Sequence, residues 1–250
     1  MDTLLAAYEA QLRSYGSPED DGDVRRVVAA DPRGWNAVVS SALTPETADG
    51  AITRQVRHFG GLGRSFEWKW YSHDEPADLP ARLRAAGFTE GPEEALMIAP
   101  VAELGRDPVP PDGVVIRRCG DAADIAAVVS LHDQVFGEDH GELGTDLTAR
   151  LAAGDGTVQV FVVEAAGVPV SAARLELHPG TDFASIWGGG TLPEWRHRGI
   201  YRALVAHRAR IACEEGFRLL QVDASPESEP ILRRLGFVRV ATTRPYLSPT

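Results

Sequence analysis

A strand-like run ending in three consecutive glycines leads, through a short loop rich in Gly and Arg, into a long helical pattern. This feature constrains the chain most. The segment reads Trp187-Gly-Gly-Gly-Thr-Leu-Pro-Glu-Trp-Arg196-His-Arg-Gly199-Ile-Tyr-Arg202-Ala-Leu-Val205. Ile200, Leu204, Ile211 and Ala212 fall on or near one helical stripe, and Gly216 suits the residue just past the helix C-terminus. The first-turn N–H groups of such a helix have no intrahelical partner, and the helix dipole adds about half a positive charge there. The loop can therefore cradle a pyrophosphate. Arg196, Arg198 and Arg202 add cationic side chains suited to phosphate oxygens. It is not a Walker loop, because no Lys follows the glycines. It is not a Rossmann fingerprint either, because it follows a late strand rather than the first.

The flanking signals predict an α/β chain. Val114 to Arg117 reads as a strand. Asp121 is a good N-cap for a helix carrying Ile125, Val128, Val129 and Phe136, and Leu147 to Leu151 suggests a second helix. Val158 to Glu164 and Val170 to Leu177 read as a hairpin turning at Ala166-Gly167. Phe183 to Leu192 is a further strand. After the helix Ile200 to Glu215 come a strand Leu219 to Val222, a helix Pro226 to Leu235 closed by Gly236, and a strand Val238 to Ala241. The order β-α-α-β-β-β-α-β-α-β is that of a mixed sheet flanked by helices.

Composition narrows the function. A net charge of −11 argues against nucleic acid as a partner, since binding a phosphate backbone needs a basic face. No apolar run approaches a membrane span and no secretory signal is visible, so a cytoplasmic protein is expected. Cys119 and Cys213 lie far apart and read as reduced structural thiols. Paired Cys/His spacing is absent, and no metal is expected, although His132, Asp133, Asp139 and His140 offer ligand types. Lys69 is the only lysine among many arginines, a usage that suggests a GC-rich bacterial genome.

The segment Pro193-Glu194-Trp195-Arg196-His197-Arg198-Gly199-Ile200 resembles the GNAT pattern, Arg/Gln-x-x-Gly-x-Gly/Ala preceded by Pro-Glu-aromatic. Leu235-Gly236-Phe237 is similar to that family's Leu-Gly-Phe near the end of its last helix, and the spacing accommodates one helix, one strand and one helix. The resemblance implies a mixed, mostly antiparallel GNAT-type sheet and an acyl-coenzyme-A-dependent N-acetyltransferase. Acetyl-CoA would be the co-substrate, and a primary amine on a small molecule or peptide would attack it directly. Gly190, Thr191, Arg196, His197, Arg198, Gly199, Ile200, Tyr201 and Arg202 would bind the coenzyme. Backbone groups at Gly190 and Thr191 would meet the pantetheine arm and the acyl carbonyl, where an N–H contributes about 2.7–4 kcal/mol to oxyanion stabilisation.

The sequence departs from the family at three positions. Tyr201 stands where a small residue is usual, and is accommodated if its side chain points outward. Leu232 stands where many members carry the tyrosine that protonates the departing thiolate, and Ser225 replaces a frequent asparagine. The substitute acids are Tyr201 and Tyr246. The candidate bases are Glu176 and His178, unless both face outward, and the segment Glu138-Asp139-His140-Gly141-Glu142, whose acidity would suit a cationic amine unless it is only a solvated loop. A non-catalytic acyl-CoA-binding or regulatory module, motivated by Leu232, is the alternative. A monomer or homodimer is expected.

The first half echoes the second. Phe66 to Tyr71, a helix through Leu79 and Leu83, then Gly87-Phe88 parallels Phe217 to Val222, a helix, then Gly236-Phe237. Asp107-Pro108-Val109-Pro110-Pro111-Asp112-Gly113 reads as a stiff linker. These observations predict a degenerate GNAT-like half at 1–107, a linker at 108–113 and the acetyltransferase domain at 114–250. Arg57 to Gly63 is read as a helix end plus loop, because too few residues follow it for a second cradle helix.

Overall fold

The computed structural model describes residues 2–16, 18–29, 34–104, 109–137 and 139–249. Along the chain these form α1 (Asp2–Gln11), β1 (Glu19–Asp20), β2 (Val24–Val27), β3 (Ala37–Ser41), α2 (Ala48–Gly61), β4 (Glu67–Tyr71), α3 (Leu79–Ala85), β5 (Thr89–Glu90) and β6 (Glu94–Pro100). They continue with β7 (Val114–Arg118), α4 (Ala122–Phe136), α5 (Gly141–Ala153), β8 (Val158–Ala165), β9 (Val168–Leu177) and β10 (Phe183–Thr191). Last come α6 (Ile200–Glu214), β11 (Leu219–Ala224), α7 (Glu229–Leu235) and β12 (Val238–Leu247). The second half has the predicted order.

Two compact units emerge. One comprises Met1–Met97 with Asp223–Glu229 and Arg239–Thr250; the other comprises Ile98–Val222 with Pro230–Val238. The sequence placed the break at the Pro/Asp-rich stretch; these compact units divide the chain elsewhere. The chain leaves the first unit within β6, ahead of the Pro/Asp-rich stretch, of which Asp107 and Pro108 lie outside the described residues. The last strand returns to the first unit, because β12 is longer than expected and hydrogen-bonds antiparallel along β4 from Thr243↔Tyr71 to Leu247↔Glu67.

In the first unit β1, β2 and β3 pair antiparallel in order, β3 runs parallel to β4, and β12 takes β4 on one side and β5 on the other. Its core gathers Phe59, Phe66, Trp68, Leu79, Leu83, Phe88 and Tyr246. The Phe59 and Phe66 rings stack at 4.3 Å. Near that core, Lys69 Nζ meets Asp223 Oδ2 at 3.0 Å and Glu94 Oε2 at 3.3 Å. These carboxylates overcome the burial that disfavours its charge and raise its pKa.

In the second unit β7, β8, β9 and β10 pair antiparallel in sequence, and β11 joins β10 parallel. The β8–β9 turn uses Ala166 and Gly167, both left-handed at φ 50° and 78°, as a tight two-residue hairpin requires. Asp121 sits in extended backbone and accepts the Asp124 N–H at 2.9 Å, which starts α4 as expected. Val158, Val160, Val162 and Ala172 pack against Ile125, Val128 and Leu131 of α4 and Leu147 of α5. Phe161 points to the other face, where its ring meets His207 of α6 at 5.1 Å. The helices α4 and α5 therefore cover one face of this sheet, and α6 covers the other. Phe136, expected on the buried stripe of α4, is 47% exposed.

Candidate active site

The strand β10 pairs with β11 from Phe183↔Leu219 to Ser185↔Gln221 and continues to Thr191. Its pairing with β9 shifts register between Trp187 and Gly190, a bulge that spans the glycines. Each glycine makes room for a neighbour from the chain itself. A Cβ on Gly188, whose φ is +58°, would lie 2.9 Å from His132 Cε1. One on Gly189 would lie 2.8 Å from Tyr201 Cε2, and one on Gly190 3.0 Å from Val135 Cγ1. Side chains from α4 and α6 thus press onto the bulge from opposite faces.

Beyond the bulge, Pro193–Trp195 forms one turn of 3-10 helix, and His197 and Gly199 both adopt left-handed backbone at φ 62° and 84°. Gly199 is the N-cap of α6 and offers no capping side chain, so the first turn of the helix presents its N–H ends without a cap from that residue. Arg198 and Gly199 are exposed, whereas Ile200 anchors the helix at 2% exposure. Arg196 Nε donates to Thr191 O at 3.0 Å, and Arg198 Nη2 donates to Glu194 O at 3.1 Å while lying over the Trp195 ring. These two guanidiniums brace the loop with part of their donors and leave their charge at the helix N-terminus. Arg202 is also exposed.

At the two positions whose backbone groups were expected to meet a ligand, Ser171 Oγ donates to Gly190 O at 2.6 Å and Arg196 Nε donates to Thr191 O at 3.0 Å. Tyr201 does not point outward as its accommodation in the loop required. It leans back on Gly189 and is half-buried.

Glu176 faces α4 and α5, since it is the register partner of Val158, which packs on those helices, and His178 lies two residues further along the same face. Burial opposes ionisation of Glu176, but Arg174 Nε at 2.8 Å and Arg150 Nη2 at 3.5 Å outweigh it and hold the carboxyl below its usual range. His178 Nε2 donates to Ser185 Oγ at 2.8 Å, and that hydroxyl donates to Gln221 Oε1 at 2.8 Å. Burial lowers His178 to about 4, so its ring is neutral near pH 7. The structure removes Tyr246 as an acid: the side chain is 1% exposed inside the first unit's hydrophobic core, opposite Trp68. Leu232 is fully buried. Of the acidic segment, Glu138 lies outside the described residues; His140 Nδ1 pairs with Asp133 Oδ1 at 3.1 Å. Among the described residues no group of three or more His, Cys, Asp or Glu is placed to hold a metal ion.

Sequence reasoning weighed His132 only as a metal-ligand type and missed Arg208 altogether. His132 is 2% exposed and its Nε2 donates to Gly188 O at 2.9 Å. Burial lowers it to about 4. Arg208, at 1% exposure, donates from Nε to Leu204 O at 3.1 Å and from Nη1 to Arg174 O at 3.0 Å and Trp187 O at 3.4 Å. Burial lowers it to about 10. A signal existed in the pattern: Arg208 interrupts the apolar stripe between Leu204 and Ala212, and His132 stands one turn after Val128.

The chain matches the model of the acetyltransferase (GNAT) domain over residues 111–227. This segment is a GNAT domain. The matched stretch contains the bulge, the loop and α6, and ends before α7 and β12. By sequence no curated protein matches the chain. Among solved structures it is similar to a GCN5-related N-acetyltransferase from Kribbella flavida, at 17% identity and TM-score 0.72, covering 99% of this chain and 95% of that one. A GCN5-related N-acetyltransferase from Sphaerobacter thermophilus follows at 15% identity and TM-score 0.61, covering 90% and 76%. A tandem GNAT protein from the clavulanic acid biosynthesis pathway shows 14% identity and TM-score 0.57, covering 91% and 79%. At these identities the likeness is one of fold, and it extends over both halves of the chain. Among the described residues no helix is long and apolar enough to cross a membrane.

Proposed function

We propose that the chain transfers an acetyl group from acetyl-CoA to a primary amine on a small molecule or peptide. The observation that carries this reading is the start of α6. A left-handed, exposed Gly199 opens the first helical turn with no capping side chain, with three exposed arginines beside it, next to the glycine bulge of β10. These residues fit a pyrophosphate, and a coenzyme held there would supply an activated thioester. Its chain-side requirements are a fixed N–H at the bulge and a group that accepts the proton of the attacking amine. Of the two candidate bases His178 is favoured, because it is neutral, whereas Glu176 is committed to two arginines. Asp139 and Glu142 at the start of α5 suit a cationic acceptor.

The second reading, a non-catalytic acyl-CoA-binding or regulatory module, is favoured by the full burial of Leu232 where many relatives have an acid. The wide likeness to a tandem GNAT protein supports a degenerate first half. We further infer a cytoplasmic monomer or homodimer with neither nucleic acid nor membrane as partner. Titration calorimetry with acetyl-CoA, followed by thiol release against a panel of amines, tests the function. Binding with turnover supports the transferase, binding without turnover supports the module, and failure to bind acetyl-CoA, other acyl-CoAs or CoA refutes both.

A further inference from the structure

Four carbonyls along the bulge are held by side chains from separate elements. Trp187 O accepts from Arg208 of α6, Gly188 O from His132 of α4, Gly190 O from Ser171 of β9 and Thr191 O from Arg196 of the loop. Two of these donors are costly. Arg208 is a fully buried cation held, among the described residues, by the carbonyls of Leu204, Arg174 and Trp187 rather than by a carboxylate. His132 Nδ1 is, among the described residues of its unit, the one buried side-chain nitrogen or oxygen with no hydrogen-bond partner. Such groups call for an explanation beyond packing.

A trans peptide plane points its C=O and the following N–H in opposite directions. Turning Gly188 O toward α4 therefore turns the Gly189 N–H away from α4. Turning Trp187 O toward Arg208 likewise turns the Gly188 N–H away from α6. We propose that His132 and Arg208 are positioning residues that clamp the bulge from its two faces, so that the Gly189 N–H is fixed in advance as the donor to the acyl carbonyl. The proposal rests on the acyl-CoA reading above. Glycine at 188–190 lets α4 and α6 come close enough to grip the backbone, and a strand without side chains has little else to hold its peptide planes. Fixed donors cost no reorganisation when charge develops on the carbonyl oxygen.

The test needs no knowledge of the acceptor. Acetyl-CoA labelled with carbon-13 at the acetyl carbonyl is bound to the intact protein, and the carbonyl stretch and carbon-13 shift are compared with the free ligand. His132→Phe keeps an aromatic ring beside Phe136 and His140 but lacks the donor, and His132→Gln restores an N–H. The expected result is a polarised carbonyl in the wild type, most of that polarisation lost in His132→Phe at similar acetyl-CoA affinity, and part of it regained in His132→Gln. With any amine that the wild type accepts, turnover of His132→Phe should fall on the order of 10–100-fold, mainly in kcat. The Gly189 amide resonance of the ligand-free protein should move in the same variant. If His132→Phe does not fold, Arg208→Lys, which keeps the charge but not the fork on the carbonyls, is read in the same way. Wild-type polarisation in a folded, donor-less variant overturns the clamp while leaving the acyl-CoA reading intact. Failure of the wild type to bind acetyl-CoA overturns that reading and the clamp with it.

Discussion

Gly199→Ala and His197→Gly should act in opposite directions within one short loop. Both positions have left-handed backbone, at φ 84° and 62°. A Cβ on Gly199 meets nothing within 4 Å, so its cost is conformational rather than steric. An L-residue in that region costs about 1–2 kcal/mol, of which about 0.5 kcal/mol is returned by a stiffer unfolded chain. The strain divides between two measurements. If the free variant keeps the loop as it is, the full amount appears as lost stability and acetyl-CoA affinity is unchanged. If the loop relaxes, stability is spared and affinity falls, by up to about tenfold for each 1.4 kcal/mol. The sum of the two losses should therefore be about 1 kcal/mol, read from urea unfolding and calorimetric titration of the same samples. His197 already carries the strain, so His197→Gly should gain about 0.5–1 kcal/mol of stability with little change in binding. Gly199→Trp, with open space around it, should fold and lose acetyl-CoA binding by obstruction. Unchanged stability together with unchanged affinity in Gly199→Ala would refute the assignment of this loop as a conformationally fixed cradle.

Stability should fall in acid. His132 and His178 lie near 4 in the folded protein, with burial the first cause for each, against 6.5 in the unfolded chain. The unfolded chain binds protons that the native one refuses, so this contribution is complete above pH 6.5 and is lost as pH drops toward 4. It amounts to on the order of 2–3 kcal/mol for each group. Urea midpoints at about pH 7 and about pH 4.5 measure it, and His178→Gln should flatten the dependence; an unaltered profile would mean the ring is not buried neutral. Leu232→Tyr should not install the family's acid. Leu232 is fully buried, so the larger side chain should cost about 1–3 kcal/mol by overpacking and leave the pH profile of any turnover unmoved, which thermal unfolding and rate measurements would check.

The sequence by itself determined the local elements of the second half. Asp121 caps α4 with its own side chain, Ala166-Gly167 closes a tight hairpin, Gly199 opens α6, and Gly216 and Gly236, both left-handed, end helices. Capping, turn chemistry and periodicity act between residues a few positions apart, so they can be read from a string. Only the tertiary structure decided which strand β12 would join. Its ten residues prefer extended backbone, but nothing local says that Tyr246 will lie opposite Trp68, and that pairing took Tyr246 out of the chemistry. The triple glycine was legible as a place of close approach. That the approaching groups are His132, Tyr201 and Val135 was not, because they come from helices distant in the sequence. The roles of His132 and Arg208 against the bulge were hidden for the same reason. A charged or titratable residue on a buried helical stripe is visible in the pattern, but its partners are backbone carbonyls of other strands, and carbonyls leave no mark in an amino-acid sequence.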